Sequence, residues 1–332
     1  MYNFEFAKAE EVLRPVLIKY KDHPVSYLLK ATVLQWQNDP IGASSKQKEY
    51  ITILEKCISL SENLLKTNKF NSEATFYLLT CHGYIAKLHH FNNDYIKAGL
   101  EAKKAYGYLK DGFALVDTNP DFLLTNGLYL FYREQYPETH PSIRPIIYFF
   151  KSGNKKEGLM SLQKAAEKAL FSQLEAKKYL GGILLKYENN NSEALRIFSS
   201  LNHDYPRNPD FQIKFCEALI ANKKWAEARI AIEKLKKFSG ADAGMAYLVF
   251  KGISEYELND KMSSSSNLFK SLQIKGHGNY TDDLKSMCYL YLGKISIDNK
   301  DLAMAKEYLE DCLAIAEYSR IKREANLLLQ QL

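Results

Sequence analysis

Ala194, Phe198 and Pro206 recur thirty-four residues later as Ala228, Ile232 and Gly240, and Gly182 ahead of them recurs as Cys216. A period of this length, with a small residue opening the second half of each unit, is what stacked helical hairpins require, because two helices cross closely only where a side chain is nearly absent. The spacing therefore predicts an array in which each helix pair buries itself on its neighbours. A chain of 332 residues then needs no division into separate globular cores.

Apolar residues at helical spacing run almost throughout, and the breaks fall where Pro, Gly or Asn cluster: Lys21 to Pro24, Asn38 to Pro40, Asn92 to Asp94, Asn119-Pro120, Pro137 to Pro141, Gly153-Asn154, Asn189 to Asn191, Asn208-Pro209 and Gly276 to Asn279. No strand-like alternation persists between them. The fold class read from this pattern is all-α, a right-handed superhelical array of antiparallel helical hairpins with about sixteen helices at ordinary helix length. Residues 1–170 read as a divergent half with a long hairpin (Glu73 to His89, then Asp94 to Tyr108) and a Pro-rich insertion, and residues 171–332 as the regular array.

The regular array is readable unit by unit. Glu175 to Asn208 carries Gly182 and Leu185, then Ala194, Phe198 and Leu201. Pro209 to Asp242 carries Phe215, Cys216 and Leu219, then Ala228, Ile232 and Leu235. A third unit keeps Gly252 and Leu268 with Ser264 at the small position, and a fourth keeps Leu292, Gly293, Ala305 and Leu309. Ile321 to Leu332 supplies a final helix, the cap that terminal repeats need.

This pattern resembles the tetratricopeptide repeat (TPR) family, bacterial exported members included. Its motif puts small residues at the eighth and twentieth positions, an aromatic or aliphatic one at the twenty-fourth and Pro at the thirty-second. Lys178 and Gln212 depart from it where an aromatic is expected. The middle of the chain, from Phe122 through the proline corner to Gly158, is loosely similar to a eukaryotic TPR family of the outer mitochondrial membrane linked to inclusion clearance. The resemblance implies an adaptor without chemistry of its own, whose first helices line a groove. In that register the groove residues are Tyr179, Ile183 and Lys186, then Ile213, Glu217 and Ile220, then Val249, Ile253 and Tyr256, then Leu290, Lys294 and Ile297. Family members that grip a C-terminal carboxylate use Lys and Asn where this chain has Tyr179 and Ile183, or Ile213 and Glu217, which disfavours that mode.

Composition narrows the remaining classes. Apolar residues are 46% and charged residues 25%, so the chain can bury a core. The formal charge of +6 is spread over lysine doublets among glutamates, which suits solvated helix faces and not a nucleic-acid footprint. Twenty-three tyrosines are many, and most are expected in the core. The sequence holds no G-x-G-x-x-G, Walker loop, G-x-S-x-G or H-E-x-x-H. His82, His89 and His90 cluster without the further ligands that zinc needs, and are expected as surface or capping residues. We therefore expect no catalytic residues, no metal and no cofactor, and a protein or peptide as partner. A peripheral membrane or lipid-associated module is the alternative, motivated by the Pro-rich corner beside Ile146 to Phe150. No segment reaches the eighteen or so apolar residues of a span. Five isolated cysteines suit either a reducing compartment or shielded thiols. Phe6 to Val16 reads like the second helix of a hairpin lacking its first, as expected after removal of a leader, so cytoplasmic and exported locations both stay open.

Overall fold

Five of the helical hairpins in this chain turn through a residue with left-handed backbone: Asn93 (φ 60), Asn189 (φ 54), Lys223 (φ 56), Asn259 (φ 62) and Lys300 (φ 63). These turns belong to a computed structural model that describes residues 1–38, 42, 44–139, 141, 144, 150–275 and 279–332, without the side chains of Asn279 and Tyr280. His140 and Ile146 to Phe149 of the Pro-rich corner lie outside the described residues. The fold is all-α, with sixteen α-helices and no strand among the described residues. They fall into two compact units, Met1–Lys177 and Lys178–Leu332.

The first unit contains α1 (Phe6–Lys19), α2 (Pro24–Gln37), α3 (Gln47–Thr67), α4 (Ser72–Phe91), α5 (Tyr95–Gly112), α6 (Phe122–Thr139) and α7 (Lys155–Lys168), and the start of α8 (Gln173–Lys186). Polar residues at the expected breaks start these helices. Asn71, Asp94 and Asn154 accept from the backbone N–H of Ala74, Lys97 and Glu157, and Pro24 sits in the first turn of α2 behind His23. Helix α2 pairs with α3, α4 with α5 and α6 with α7. Tyr50, Phe76, Tyr77 and Phe122 lie at the centre of the apolar cluster that joins α2 to α6. Helices α6 and α7 cross backbone to backbone. A Cβ on Gly158 would stand 2.7 Å from the Phe131 nitrogen and 2.8 Å from the Gly127 carbonyl oxygen. At the N-terminus Tyr2 and Phe4 pack edge-on against Trp36, and the Tyr2 hydroxyl donates to Glu175 Oε1 at 2.6 Å.

The second unit continues with α9 (Asn191–Asp204), α10 (Pro209–Ala221), α11 (Trp225–Lys234), α12 (Ala241–Glu257), α13 (Lys261–Leu272), α14 (Asn279–Asp298), α15 (Leu302–Ile315) and α16 (Ser319–Leu329). First helices stack on first helices, α10 on α12, α12 on α14 and α14 on α16, while each second helix also meets the next first helix. The small positions of the second helices are sealed, Ala194, Ala228, Ser264 and Ala305 all being 0% exposed. Bulk from the second helix fills the notch that glycine leaves on the first. A Cβ on Gly252 would lie 2.8 Å from Leu268 Cγ, and one on Gly293 would lie 2.9 Å from Leu309.

In the first repeat of this unit the notch is one residue away from the expected place. Gly181 meets the Phe198 ring at 2.8 Å, whereas Gly182 has nothing within 4 Å. The turn explains the shift. After Asn93, Lys223, Asn259 and Lys300, the next N–H bonds back to His89, Leu219, Glu255 and Ser296, whereas Asn190 reaches Leu184, one residue further. An extra residue in the α8–α9 turn displaces α8 by one position relative to a strict period of thirty-four.

Two further expectations change. His82 is buried, with Nδ1 2.6 Å from Glu101 Oε2 and its ring stacked on Tyr108, because the close approach of α4 and α5 leaves it no path to solvent. Cys57 and Cys81, isolated in sequence, lie beside each other between α3 and α4, and both are buried free thiols, Cys57 donating to the Pro24 carbonyl at 3.3 Å. Gln212, standing where the repeat pattern asks for an aromatic, is buried and donates to the Ala231 carbonyl at 2.8 Å, so the departure leaves no unpaired amide nitrogen.

Candidate interaction site

The residues expected to line a groove in Lys178–Leu332 divide sharply by exposure. Ile183, Ile213, Glu217, Ile220, Val249, Ile253 and Leu290 are buried, while Tyr179 is exposed and Lys186, Tyr256, Lys294 and Ile297 are partly so. The burial follows from what packs there: on the inner side of the first helices, side chains from distant parts of the unit converge. Lys186 of α8 places Nζ 2.9 Å from Asp283 Oδ2 on α14 and 2.7 Å from Glu317 Oε2 in the link between α15 and α16. The Tyr187 hydroxyl donates to the same Glu317 oxygen at 3.2 Å. Lys214 of α10 bonds Glu217 at 2.8 Å and the Tyr318 hydroxyl at 2.9 Å.

Tyr318 is the centre of this cluster. It is 2% exposed, the Lys186 ammonium stands 5.5 Å from its ring centroid, within cation–π range, and the Lys214 ammonium lies at its hydroxyl edge. Burial, reinforced by Glu217 and Asp283, pushes its phenol well above the ordinary range, so the hydroxyl keeps its proton. Asp283 is also pushed up, because burial outweighs the attraction of Lys186 and Lys214. One oxygen of Glu217, Oε1, is buried without a hydrogen-bond partner among the described residues. Three carboxylates thus share two ammonium groups.

A second cluster joins the other expected lysine to the last helix. Lys294 is paired with Glu324 of α16, and its Nζ lies 4.3 Å from the Tyr291 ring centroid and 6.0 Å from that of Tyr256. Tyr256 donates to Asp298 at 3.1 Å, and Tyr291 donates to Glu257 at 3.1 Å. Both lysines expected in the groove are therefore engaged by carboxylates of the final segment, Glu317 and Glu324. Sequence reasoning named Lys186, Glu217, Tyr256 and Lys294 but missed Lys214, Asp283, Glu317 and Tyr318. The partners of Lys186 lie about a hundred residues further along the chain, and no local pattern pairs them.

The first unit has a cleft of about 260 Å³ whose walls include Phe76, Tyr77, Phe171, Glu73 and Lys168. The buried acid beside it, Asp121, is committed: its Oδ1 accepts from the backbone N–H groups of Phe171 and Ser172 and from the Ser172 hydroxyl. Elsewhere, burial pushes the thiols of Cys216, Cys288 and Cys312 up to about 12, which leaves them protonated and poorly nucleophilic. No group of three or more His, Cys, Asp or Glu among the described residues is placed to hold a metal ion. No described helix is long and apolar enough to cross a membrane.

No protein-family model matches the chain, and no curated protein matches it in sequence. Among solved structures it is similar to yeast Tom70, at 16% identity and a TM-score of 0.43 over 87% of this chain; it spans 60% of the length of that one. It is also similar to a tetratricopeptide repeat protein from Parabacteroides merdae, at 17% identity and a TM-score of 0.37, over 85% of this chain and 98% of that one. The chain's own left-handed turns, glycine notches and stacked first helices make its repeats stacked antiparallel helical hairpins.

Proposed function

We propose that this protein is a non-enzymatic interaction scaffold whose unit Lys178–Leu332 holds a peptide or helix of a partner protein against the inner side of its first helices. The observation that carries the reading is the convergence of Lys186, Lys214, Asp283, Glu317 and Tyr318 from α8, α10, α14 and the α15–α16 link. Helices distant in sequence present side chains to a common interior, the arrangement by which repeat proteins offer many modest contacts to an elongated ligand. Tyrosine and lysine dominate the accessible part. An amphipathic ring and a long charged stem suit a contact surface that is wet at one edge and apolar at the other.

The partner-facing positions in this proposal are Tyr179, Lys186, Tyr256 and Lys294, with the buried Ile183, Ile213, Ile220, Val249, Ile253 and Leu290 as the wall behind them. A photoreactive amino acid at Tyr179 or Tyr256 should crosslink the partner in the native cell. One at Ile230, 67% exposed on a second helix, should not. Equal crosslinking at all three positions would discard the assignment of the face.

A further inference from the structure

The α15–α16 link has the form of a bound peptide. Ala316 (φ −65, ψ 133) and Tyr318 (φ −64, ψ 120) are extended, so Glu317 and Tyr318 project from a non-helical stretch between two helices. Their side chains enter a site built by other elements. The Glu317 carboxylate takes the Lys186 ammonium at 2.7 Å and the Tyr187 hydroxyl at 3.2 Å. The Tyr318 ring has the Lys186 ammonium 5.5 Å from its centroid, and its hydroxyl takes the Lys214 ammonium at 2.9 Å. The charges complement an acidic residue followed by a tyrosine: two ammonium groups and a phenol donate to a carboxylate and a hydroxyl, and the ring lies within cation–π reach of Lys186.

The fill is imperfect. Glu217 Oε1 remains buried and unpartnered, and Lys186 divides itself between Glu317 and Asp283.

We propose that the inner site of Lys178–Leu332 is a receptor for an extended acidic–tyrosine peptide of a partner protein, and that Glu317–Tyr318 is a tethered occupant that such a peptide displaces. This rests on the reading of the inner side as the partner-binding face and names the chemistry it selects. A partner segment brings the same carboxylate and phenol, and a neighbouring donor on it can reach the Glu217 oxygen that the tethered segment leaves unpaired. Occupancy from within the chain keeps the site closed to weak or non-matching peptides.

The test uses the full chain and a fluorescent peptide, Ile-Ala-Glu-Tyr-Ser-Arg, copying residues 315–320. Wild-type protein should bind it weakly. The variant Tyr318→Ala, which empties the aromatic slot, should bind it at least about ten-fold more tightly, the scale of one charge-assisted hydrogen bond. Changing the peptide's Glu to Gln or its Tyr to Ala should remove that gain, as should adding Lys186→Met to the protein. A folded Tyr318→Ala protein that binds no better than wild type, or that binds all three peptides equally, overturns the proposal. Should Tyr318→Ala lose its helical circular dichroism, Glu317→Gln with Tyr318→Phe removes the charge and the hydroxyl that hold the tethered segment while keeping its bulk, and is held to the same two criteria. Crosslinking from Tyr179 and Tyr256 separates the two readings. A partner captured there while the peptide fails removes only the acidic–tyrosine preference, whereas no capture removes the face itself.

Discussion

One hairpin of the first unit, α4–α5, turns as those of the second unit do, while another, α6–α7, crosses its helices differently. Asn93 in the first unit and Lys223, Asn259 and Lys300 in the second share a left-handed backbone followed by the same back-bonded N–H. At the crossings the second unit sets glycine under a side chain, Gly293 under Leu309, while in the first Gly158 meets the backbone of Gly127 and Phe131. The turn is thus shared across the two units. The crossing is a local solution that sets how near two helices come and how much a substitution there costs.

That difference has a direct test. The chain's two tryptophans, Trp36 and Trp225, sit one in each unit, so single-tryptophan variants followed in urea read the units apart. Gly158→Ala forces a methyl into backbone that cannot rotate away and should destabilise the first unit by about 3 kcal/mol. Gly293→Ala meets Leu309 Cγ and Cδ2 at 2.9 Å, a side chain that can turn aside, and its strain is offset by better helix propensity, leaving the second unit within about 1 kcal/mol of wild type. Gly182→Ala, with nothing within 4 Å, should stabilise by about 0.5 kcal/mol. A similar cost at all three positions would erase the distinction between the crossings.

The turns can be compared in the same way. Lys223 holds a left-handed conformation that suits Gly or Asn, and the following Lys224 gives α11 no side-chain cap, whereas Asn93 and Asp94 supply both. Lys223→Gly should therefore stabilise the second unit by about 1 kcal/mol. Asn93→Gly should change the first by only a few tenths, roughly within measurement error. Gains of equal size would mean that the first unit's turn is as strained as the second's.

The smallest expected effect is in pH dependence, and its sign differs between the units. Burial disfavours the Glu101 charge, but hydrogen bonds from Lys104 and His82 outweigh it and hold the carboxyl below its ordinary 4.5. Its contribution is present above that value and is lost as pH falls through the depressed one. Asp283 is held above its ordinary 3.8 by burial, so its contribution is present below 3.8 and is lost as pH rises through the raised value. Below its ordinary 4.5, Glu101→Gln should flatten the acid-side loss of the first unit, and above its ordinary 3.8, Asp283→Asn should flatten the opposite slope in the second. Slopes unchanged by either substitution would show that these carboxyls do not set the pH response.

Much of the fold is legible in residue order because helices, turns and small crossing positions are local. Apolar spacing marks the helices, Asn and Asp mark their starts, and Ala194, Ala228 and Ala305 mark the sealed second-helix positions. The first unit hides its repeats because Ala102 stands, and is exposed, where the second unit has Phe198 or Leu309. Gly182 was the natural choice for the notch under a strict period, and one residue gained in a turn moved it to Gly181.

By itself, then, the sequence determined an all-helical chain of hairpins, since each hairpin is decided by contacts within a few dozen residues. Tertiary structure alone decided what the inner side of the second unit holds. Lys186 meets Asp283 and Glu317, and Lys214 meets Tyr318, across separations of 97 to 131 residues, where no periodicity survives. Which charges meet there depends on how far the stacked hairpins curve, a sum of small rotations that no short segment encodes.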